Sequence, residues 1–504
     1  MASEGSYGQI LKSSFVMGGA AGIVFLLGMI RTKFAALIVG TTGLGLIASF
    51  SAIQVFIGSI AGIGLQSSAV RQIAIAVSQG DDESVGRIVL ALRRLCWLTG
   101  LVGMACTILL SPHLSRITFG NEEYVLEVAG IGVIILLVNL TGGQLALLQG
   151  MRRIGDMAWA NISGAILGTL TAVSFYHWLG MRGIVPSFVA SAAVQLSLVW
   201  FFARRVQVLS VTLTWRQTLH EANGLVKLGL VFMWNGLMVS AVSYFTIVLI
   251  RSEIDLHAAG LYSAAFLLSG VPVNLVLGAM GMDYYPRLTM VAHDKTMVKR
   301  LVNEQTEIGI LIAAPAVLAT IVFAPMLIQI FYTQDFAASV ELLQWFVLGT
   351  VLRAISWPLG YVILALGKGN LYLITETTIN ILHILLIAGG IEIFGIKGVA
   401  IAFFVLNIIY IGFVYLVGSK IVDFNWTARC RRIIFFTMLI SIIVFALVRI
   451  FEGMITTAIG LGMTIFVSFI CLRELADRIG SEHRIIRFAL MVPGLKYIMN
   501  STKK

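Results

Sequence analysis

Apolar residues along this chain come in unbroken runs of roughly 18 to 30 residues, separated by short charged turns, the pattern of helices that cross a bilayer. Fourteen runs are long enough, the first at about 13–40 and the last at about 454–472. The pattern predicts an all-α polytopic membrane protein. Met1 to Gln9 is polar, and the run after it is too long for a secretory signal and ends without a small-residue cleavage site. It is therefore expected to stay as the first span.

The runs carry an internal repeat. TTGLGL at 41–46 is answered by AAGLYS at 258–263, Gly150 by Gly367, and Gly180-Met-Arg-Gly183 by Gly395-Ile-Lys-Gly398, all at offsets of 215 to 217 positions. Arg71 and Arg287 likewise end the second and eighth runs, and FGNEEY (119–124) has a looser counterpart in FYTQDF (331–336). Shared order at a near-constant offset predicts two six-helix lobes, 1–205 and 225–420, joined by a cytoplasmic linker at 206–224. An even number of spans gives both lobes one orientation, so they are expected to be related by a pseudo-twofold along the membrane normal and to enclose a central site. Two additional helices at 433–472 and a basic amphipathic cytoplasmic tail at 473–504 complete the plan.

Composition agrees. The 504 residues are 59% hydrophobic and 12% charged, which excludes an ordinary soluble domain. The net charge of +11 raises the question of nucleic acid, and its distribution answers it. Of the 35 Lys and Arg residues, Arg116, Arg182, Arg251, Lys397 and Arg449 fall outside, Arg31, Lys33 and Arg353 fall within spans, and the rest lie on the side of the N-terminus. This is the positive-inside bias, and it puts both termini in the cytoplasm. The basic excess is topology, with no nucleic-acid footprint. Four cysteines without a CxxC or a His-Cys grouping indicate neither a disulfide framework nor a metal site.

Arg353 is the residue on which a functional reading turns. It sits near the middle of the apolar run from Ala338 to Leu366, where a guanidinium costs about 3 kcal/mol on insertion scales. Trp357-Pro358 follows as an expected kink. A cation at that depth beside a bend predicts a wet cavity that receives something negative. Were Arg353 only structural, its partner would be Glu376 or Glu307. Arg31 and Lys33 lie in the outer third of the first span, where two readings stand: both stems reach the headgroups, or one of the two shares the cavity. Glu304, Glu307, Asp283 and Glu376 lie toward the cytoplasmic ends of spans, either binding a coupling ion or facing water at the lip. Polar residues within the runs, Gln54, Asn139, Gln144, Asn235, Asn274, Asn380 and His383, are mostly interhelical glue worth about 1 kcal/mol each. A subset, with Gln54 and Asn139 as candidates and Trp357 among the aromatics, suits a passage for carbohydrate. No Walker loop, nucleophile elbow or paired metal motif is present. The reading is therefore of a non-enzyme without cofactor.

With these residues in view the chain resembles the multidrug/oligosaccharidyl-lipid/polysaccharide (MOP) exporter superfamily, and within it the Wzx-type O-antigen flippases and lipid III flippases. The resemblance is carried by the GLGL turn at Gly43–Leu46, by FGNEEY, and by the block from Asp335 to Glu376, and it covers about residues 10–420. The last two spans exceed the twelve-span plan common in these flippases. The resemblance implies movement of an undecaprenyl-pyrophosphate-linked oligosaccharide, such as an O-antigen repeat unit, from the inner to the outer leaflet of the bacterial cytoplasmic membrane. Membrane lipids, a polysaccharide polymerase, chain-length proteins and a coupling ion, proton or sodium, are the implied partners. Substrate contacts would fall to Arg353, Arg31, Lys33, Trp357, Gln54 and Asn139. Within the superfamily the alternative is a cation-coupled multidrug exporter, which calls for acidic residues deep in the first lobe.

Overall fold

Fourteen α-helices and two short 3-10 turns make up the computed structural model, which describes residues 2–451 and 454–479; no strand occurs among them. The tail from 480 onward, where the sequence suggests a surface helix, lies outside the described residues. In chain order the helices are α1 (Ala2–Gly62), α2 (Leu65–Gln79), α3 (Asp82–Phe119), α4 (Val125–Gly150), α5 (Ile154–Leu179), α6 (Ile184–Ala203) and α7 (Trp215–Glu253). There follow α8 (Leu256–Met290), α9 (Lys295–Phe331), α10 (Ser339–Ala365), α11 (Gly369–Phe394), α12 (Ile396–Val422), α13 (Ala428–Ile450) and α14 (Met454–Ile479).

Eleven helical stretches among the described residues are long and apolar enough to cross a membrane. Two of them, Gly18–Gly62 and Ile154–Ala203, hold 45 and 50 residues, about 70 Å of helix and twice the hydrocarbon thickness. Each is divided where its sequence allows. Gly40 breaks α1 with φ 67° and ψ −165°, and the 3-10 turn Gly180–Gly183 separates α5 from α6. The second apolar run is expected from the sequence to continue to residue 70, but α1 stops at Gly62. Ile63 and Gly64 turn into left-handed conformation, and α2 starts at Leu65. The cause is a close approach of two backbones. A Cβ on Gly64 would stand 2.2 Å from the carbonyl oxygen of Gly229 on α7, and one on Gly229 would stand 2.3 Å from that of Ile63.

The chain divides into two compact units, Met1–Ser263 with Phe331–Asp335, and Ala264–Ile330 with Phe336–Lys504. In the first unit a core of Leu65, Ile73, Val89, Leu92, Leu147 and Leu225 joins α2, α3, α4 and α7. A second glycine contact lies at the other end of the α1 segment that follows Gly40. There a Cβ on Gly45 would fall 2.0 Å from the Leu256 carbonyl oxygen, and one on Gly260 would fall 2.0 Å from that of Thr41. The TTGLGL and AAGLYS segments therefore touch backbone to backbone, and Thr41 Oγ1 and His257 Nδ1 are hydrogen-bonded at 2.7 Å. The FGNEEY turn docks on the same segment, with Phe119 5.1 Å and Tyr124 6.0 Å from the ring of Phe50.

In the second unit Tyr284, Leu288, Val298, Val302, Leu359, Val362 and Phe424 form the core between α8, α9, α10 and α12. Ion pairs fasten the two additional helices at both ends. At one end Glu341 of α10 takes Lys397 at 2.6 Å and also pairs with Arg449 of α13. At the other, Arg478 of α14 pairs with Glu307 of α9 at 3.0 Å, both side chains 11% exposed, and Thr427 Oγ1 adds a hydrogen bond to Glu307. Between these ends Trp345 meets Phe445 at 4.8 Å. Glu307 is thus committed to α14, and one of the two carboxylates the sequence offered to Arg353 is taken.

A buried carboxylate stripped of its guanidinium costs several kcal/mol. Arg478→Ala should therefore destabilise the protein by about 3 kcal/mol, read as a lowered melting temperature in detergent, and the added change Glu307→Gln should recover part of it. An unchanged melting temperature in Arg478→Ala would show that the clamp is ornamental.

Candidate functional site

Two polar surfaces lie on the long apolar helices, one in each unit. In the first unit a cleft of about 830 Å³ opens between α1, α4, α5 and α6. Its walls are mostly small and apolar, because Gly28, Gly164 and Gly168 keep the helices from filling it. Arg31 and Gln54 reach it from the two segments of α1, and Thr141, Asn161, Ser191 and Gln195 from the other three helices. Gln195 Nε2 donates to Asn161 Oδ1 at 3.4 Å, which presents an amide pair on the wall. Arg31 is exposed, interacts electrostatically with Tyr176 and makes no ion pair among the described residues. Among the described residues no carboxylate lines the cleft.

Arg31 and Lys33 part company, as residues two apart on a helix must. The ammonium of Lys33 donates to the main-chain carbonyl of Tyr332, and Lys33 is not on the cleft wall. Asn139 is also elsewhere. Its amide donates to Thr99 Oγ1 at 2.8 Å, and it borders a smaller cavity of about 250 Å³ beside Gly62 and Gly142. Asn161 and Gln195 were not singled out in the sequence, although they carry the signal that marked Gln54, an amide inside an apolar run.

In the second unit the surface is a stripe on α10. Most of this helix is buried, and between Phe346 and Ile363 the accessible residues are Arg353, Trp357, Gly360 and Tyr361. Spacings of four, seven and eight residues put them on one helix face. Arg353 is the exposed member, and its guanidinium makes no hydrogen bond or ion pair among the described residues. Glu376 of α11 and Tyr410 of α12 interact with it electrostatically from beyond ion-pair distance. Those two face each other, Tyr410 Oη donating to Glu376 Oε1 at 3.4 Å. Gly360 makes room for this group, since a Cβ there would stand 3.0 Å from Tyr410 Oη.

Aromatic rings hold the lower half of the stripe. Trp357 lies 4.7 Å from Tyr361 and 5.7 Å from Tyr284. Tyr284 Oη donates to the Pro358 carbonyl at 2.7 Å and ties α8 to the proline turn. Pro358 cannot donate to Ala354, which loosens the helix just past Arg353. The result is a guanidinium without a hydrogen bond or ion pair among the described residues, on the same helix face as two aromatic rings. Guanidinium donors can bind phosphate oxygens in pairs.

Residues 36–341 match the polysaccharide biosynthesis protein family. The lipid III flippase of Escherichia coli (strain K12) is 21% identical over 391 residues, covering 76% of this chain and 92% of that protein. Among solved structures, an inward-facing multidrug resistance MATE family transporter of the MOP superfamily superposes with a TM-score of 0.66 at 15% identity, covering 81% of this chain and 98% of that one. The lipid II flippase MurJ in its inward closed conformation superposes with a TM-score of 0.65 at 15% identity, covering 91% and 98%. The sequence match and the shared helical fold agree: the chain belongs to the polysaccharide biosynthesis protein family.

Proposed function

We propose that this protein is a flippase that carries an undecaprenyl-pyrophosphate-linked oligosaccharide, an O-antigen type repeat unit, from the cytoplasmic to the outer leaflet of the bacterial inner membrane. The observation that carries the reading is Arg353, a guanidinium in the middle of an apolar helix, accessible and without an ion pair among the described residues, on a helix face shared with Trp357 and Tyr361. Exposure to lipid tails would be costly for such a group, so its exposure means contact with water or cargo. Pyrophosphate supplies the anion that the Arg353 guanidinium can bind with paired hydrogen bonds. Aromatic faces and the Asn161–Gln195 amides suit sugar rings and hydroxyls. The lipid tail stays in the bilayer while the headgroup crosses, as these surfaces are exposed to one side of the membrane and then the other. No step in this work makes or breaks a covalent bond.

Kinship to MATE transporters raises a cation-coupled multidrug exporter as the second reading. A cationic drug calls for carboxylates where it binds, and the cleft of the first unit offers an arginine and none. Lipid III flippase kinship and this charge balance favour the anionic cargo. Glu376 is the carboxylate placed to bind a coupling proton or sodium ion beside Arg353.

Arg353→Ala should lower surface polysaccharide display by about 10- to 100-fold, the worth of a charge-assisted hydrogen-bond pair, with membrane levels of the protein unchanged. Arg353→Lys should keep part of the display, and Arg31→Ala should fall between wild type and Arg353→Ala. Normal display from Arg353→Ala would remove this residue from the mechanism. The topology is open to test as well. In a variant without its four native cysteines, a membrane-impermeant thiol reagent applied from outside should label Asn121→Cys and spare Gly155→Cys. The opposite pattern would invert the orientation.

A further inference from the structure

The first unit has a second cleft, of about 420 Å³, between α3, α4 and α6. It shares no lining residue with the cleft of Arg31. Arg93, Trp97, Gln144, Ser197 and Trp200 line it, and no carboxylate does. The two adjacent arginines of α3 have opposite fates. Arg94 is spent on structure: it donates to the Leu213 carbonyl at 2.9 Å and to Thr218 Oγ1 at 2.6 Å, and lies 5.1 Å over the ring of Trp215. Arg93 makes no hydrogen bond or ion pair among the described residues. Beside it Gln144 Oε1 is buried without a hydrogen-bond partner. A free guanidinium and an orphaned acceptor on one cleft wall ask for a ligand that has both an anion and a hydroxyl.

The cleft's position says what that ligand is. Trp97 and Trp200 are each 52% exposed at its mouth, and Arg204 lies 5.0 Å over Trp200. Tryptophan and arginine together mark the headgroup level of a bilayer. Gln144 and Trp200 stand close to the ends of α4 and α6, which the charge distribution assigns to the cytoplasmic face. Basic pockets between spans on that face take lipid phosphates. We propose that this cleft holds a resident anionic glycerophospholipid of the inner leaflet, its phosphodiester on Arg93, a hydroxyl of its headgroup donating to Gln144 Oε1, and its acyl chains lying along Trp97 and Trp200. Phosphatidylglycerol has this chemistry. The site is separate from cargo transport and stands whether or not the flippase reading holds.

The test is native mass spectrometry of the purified protein in detergent with phosphatidylglycerol and phosphatidylcholine in equal amounts. Wild type should retain one phosphatidylglycerol per chain with about tenfold preference, the effect of one or two cations at an anionic headgroup. Arg93→Gln should lose that preference, and Arg93→Lys should keep part of it. If Arg93→Gln melts at a lower temperature in phosphatidylcholine micelles, Ser197→Trp decides, because it fills the cleft without altering charge and must also lose the retained lipid. Equal preference in wild type and Arg93→Gln, or retention by Ser197→Trp, overturns the assignment. So does displacement of the lipid by excess inorganic phosphate or by an equal amount of undecaprenyl phosphate, which would make the cleft a simple anion site or a cargo site.

Discussion

A guanidinium inside a bilayer has few ways to be tolerated. It pairs with an acid, it reaches a headgroup, or it borders water. Arg353 lies near the middle of its apolar run, and no acid among the described residues stands within ion-pair distance. The proposed function takes the third way, and the architecture of α10 suits it. Its other faces are buried against neighbouring helices, so the charge cannot drift, and its one accessible stripe adds Trp357 and Tyr361 to the cation. Glu376 of α11 lies near enough to interact with it electrostatically but makes no ion pair with it. A fully paired arginine would be a structural brace; under the proposed function this one has donors available for an anionic headgroup.

The first unit is held together by contacts that are themselves cheap. At both ends of the α1 segment after Gly40, glycines let backbones approach where a single methyl group would collide, Gly64 with Gly229 and Gly45 with the Leu256 carbonyl. Helices in lipid lack a hydrophobic drive to associate, so close packing of small residues carries much of the work. The last two helices are held differently, by ion pairs to Glu341 at one end and to the buried Glu307 at the other. Their attachment at both ends assigns them to the second unit as fixed parts.

Much of this was legible in the sequence. Unbroken apolar runs announced the helices, and one arginine in the middle of such a run announced its own exception. Gln54 and Arg31 were visible for the same reason and do share a wall. What stayed hidden was direction. Lys33 has the same depth and charge as Arg31, yet it spends its ammonium on the Tyr332 carbonyl, a partner 299 positions away. Asn139 and Asn161 look alike in sequence; the first bonds Thr99 within the helix packing, and the second faces the cleft. The early end of α1 at Gly62 was illegible because its cause is Gly229, on another helix. Hydropathy registers depth well and azimuth poorly, since a cavity wall and a helix contact accept the same small and amide residues.

The most direct test is a leaflet assay in proteoliposomes that contain a fluorescent undecaprenyl-pyrophosphate oligosaccharide, with an impermeant quencher added outside. If a deep, unpaired guanidinium receives the pyrophosphate, wild-type vesicles should expose the inner-leaflet label to the quencher, and vesicles with Arg353→Ala should match protein-free ones. Equal quenching by wild type and Arg353→Ala, or none by wild type with or without an ion gradient, would contradict the account.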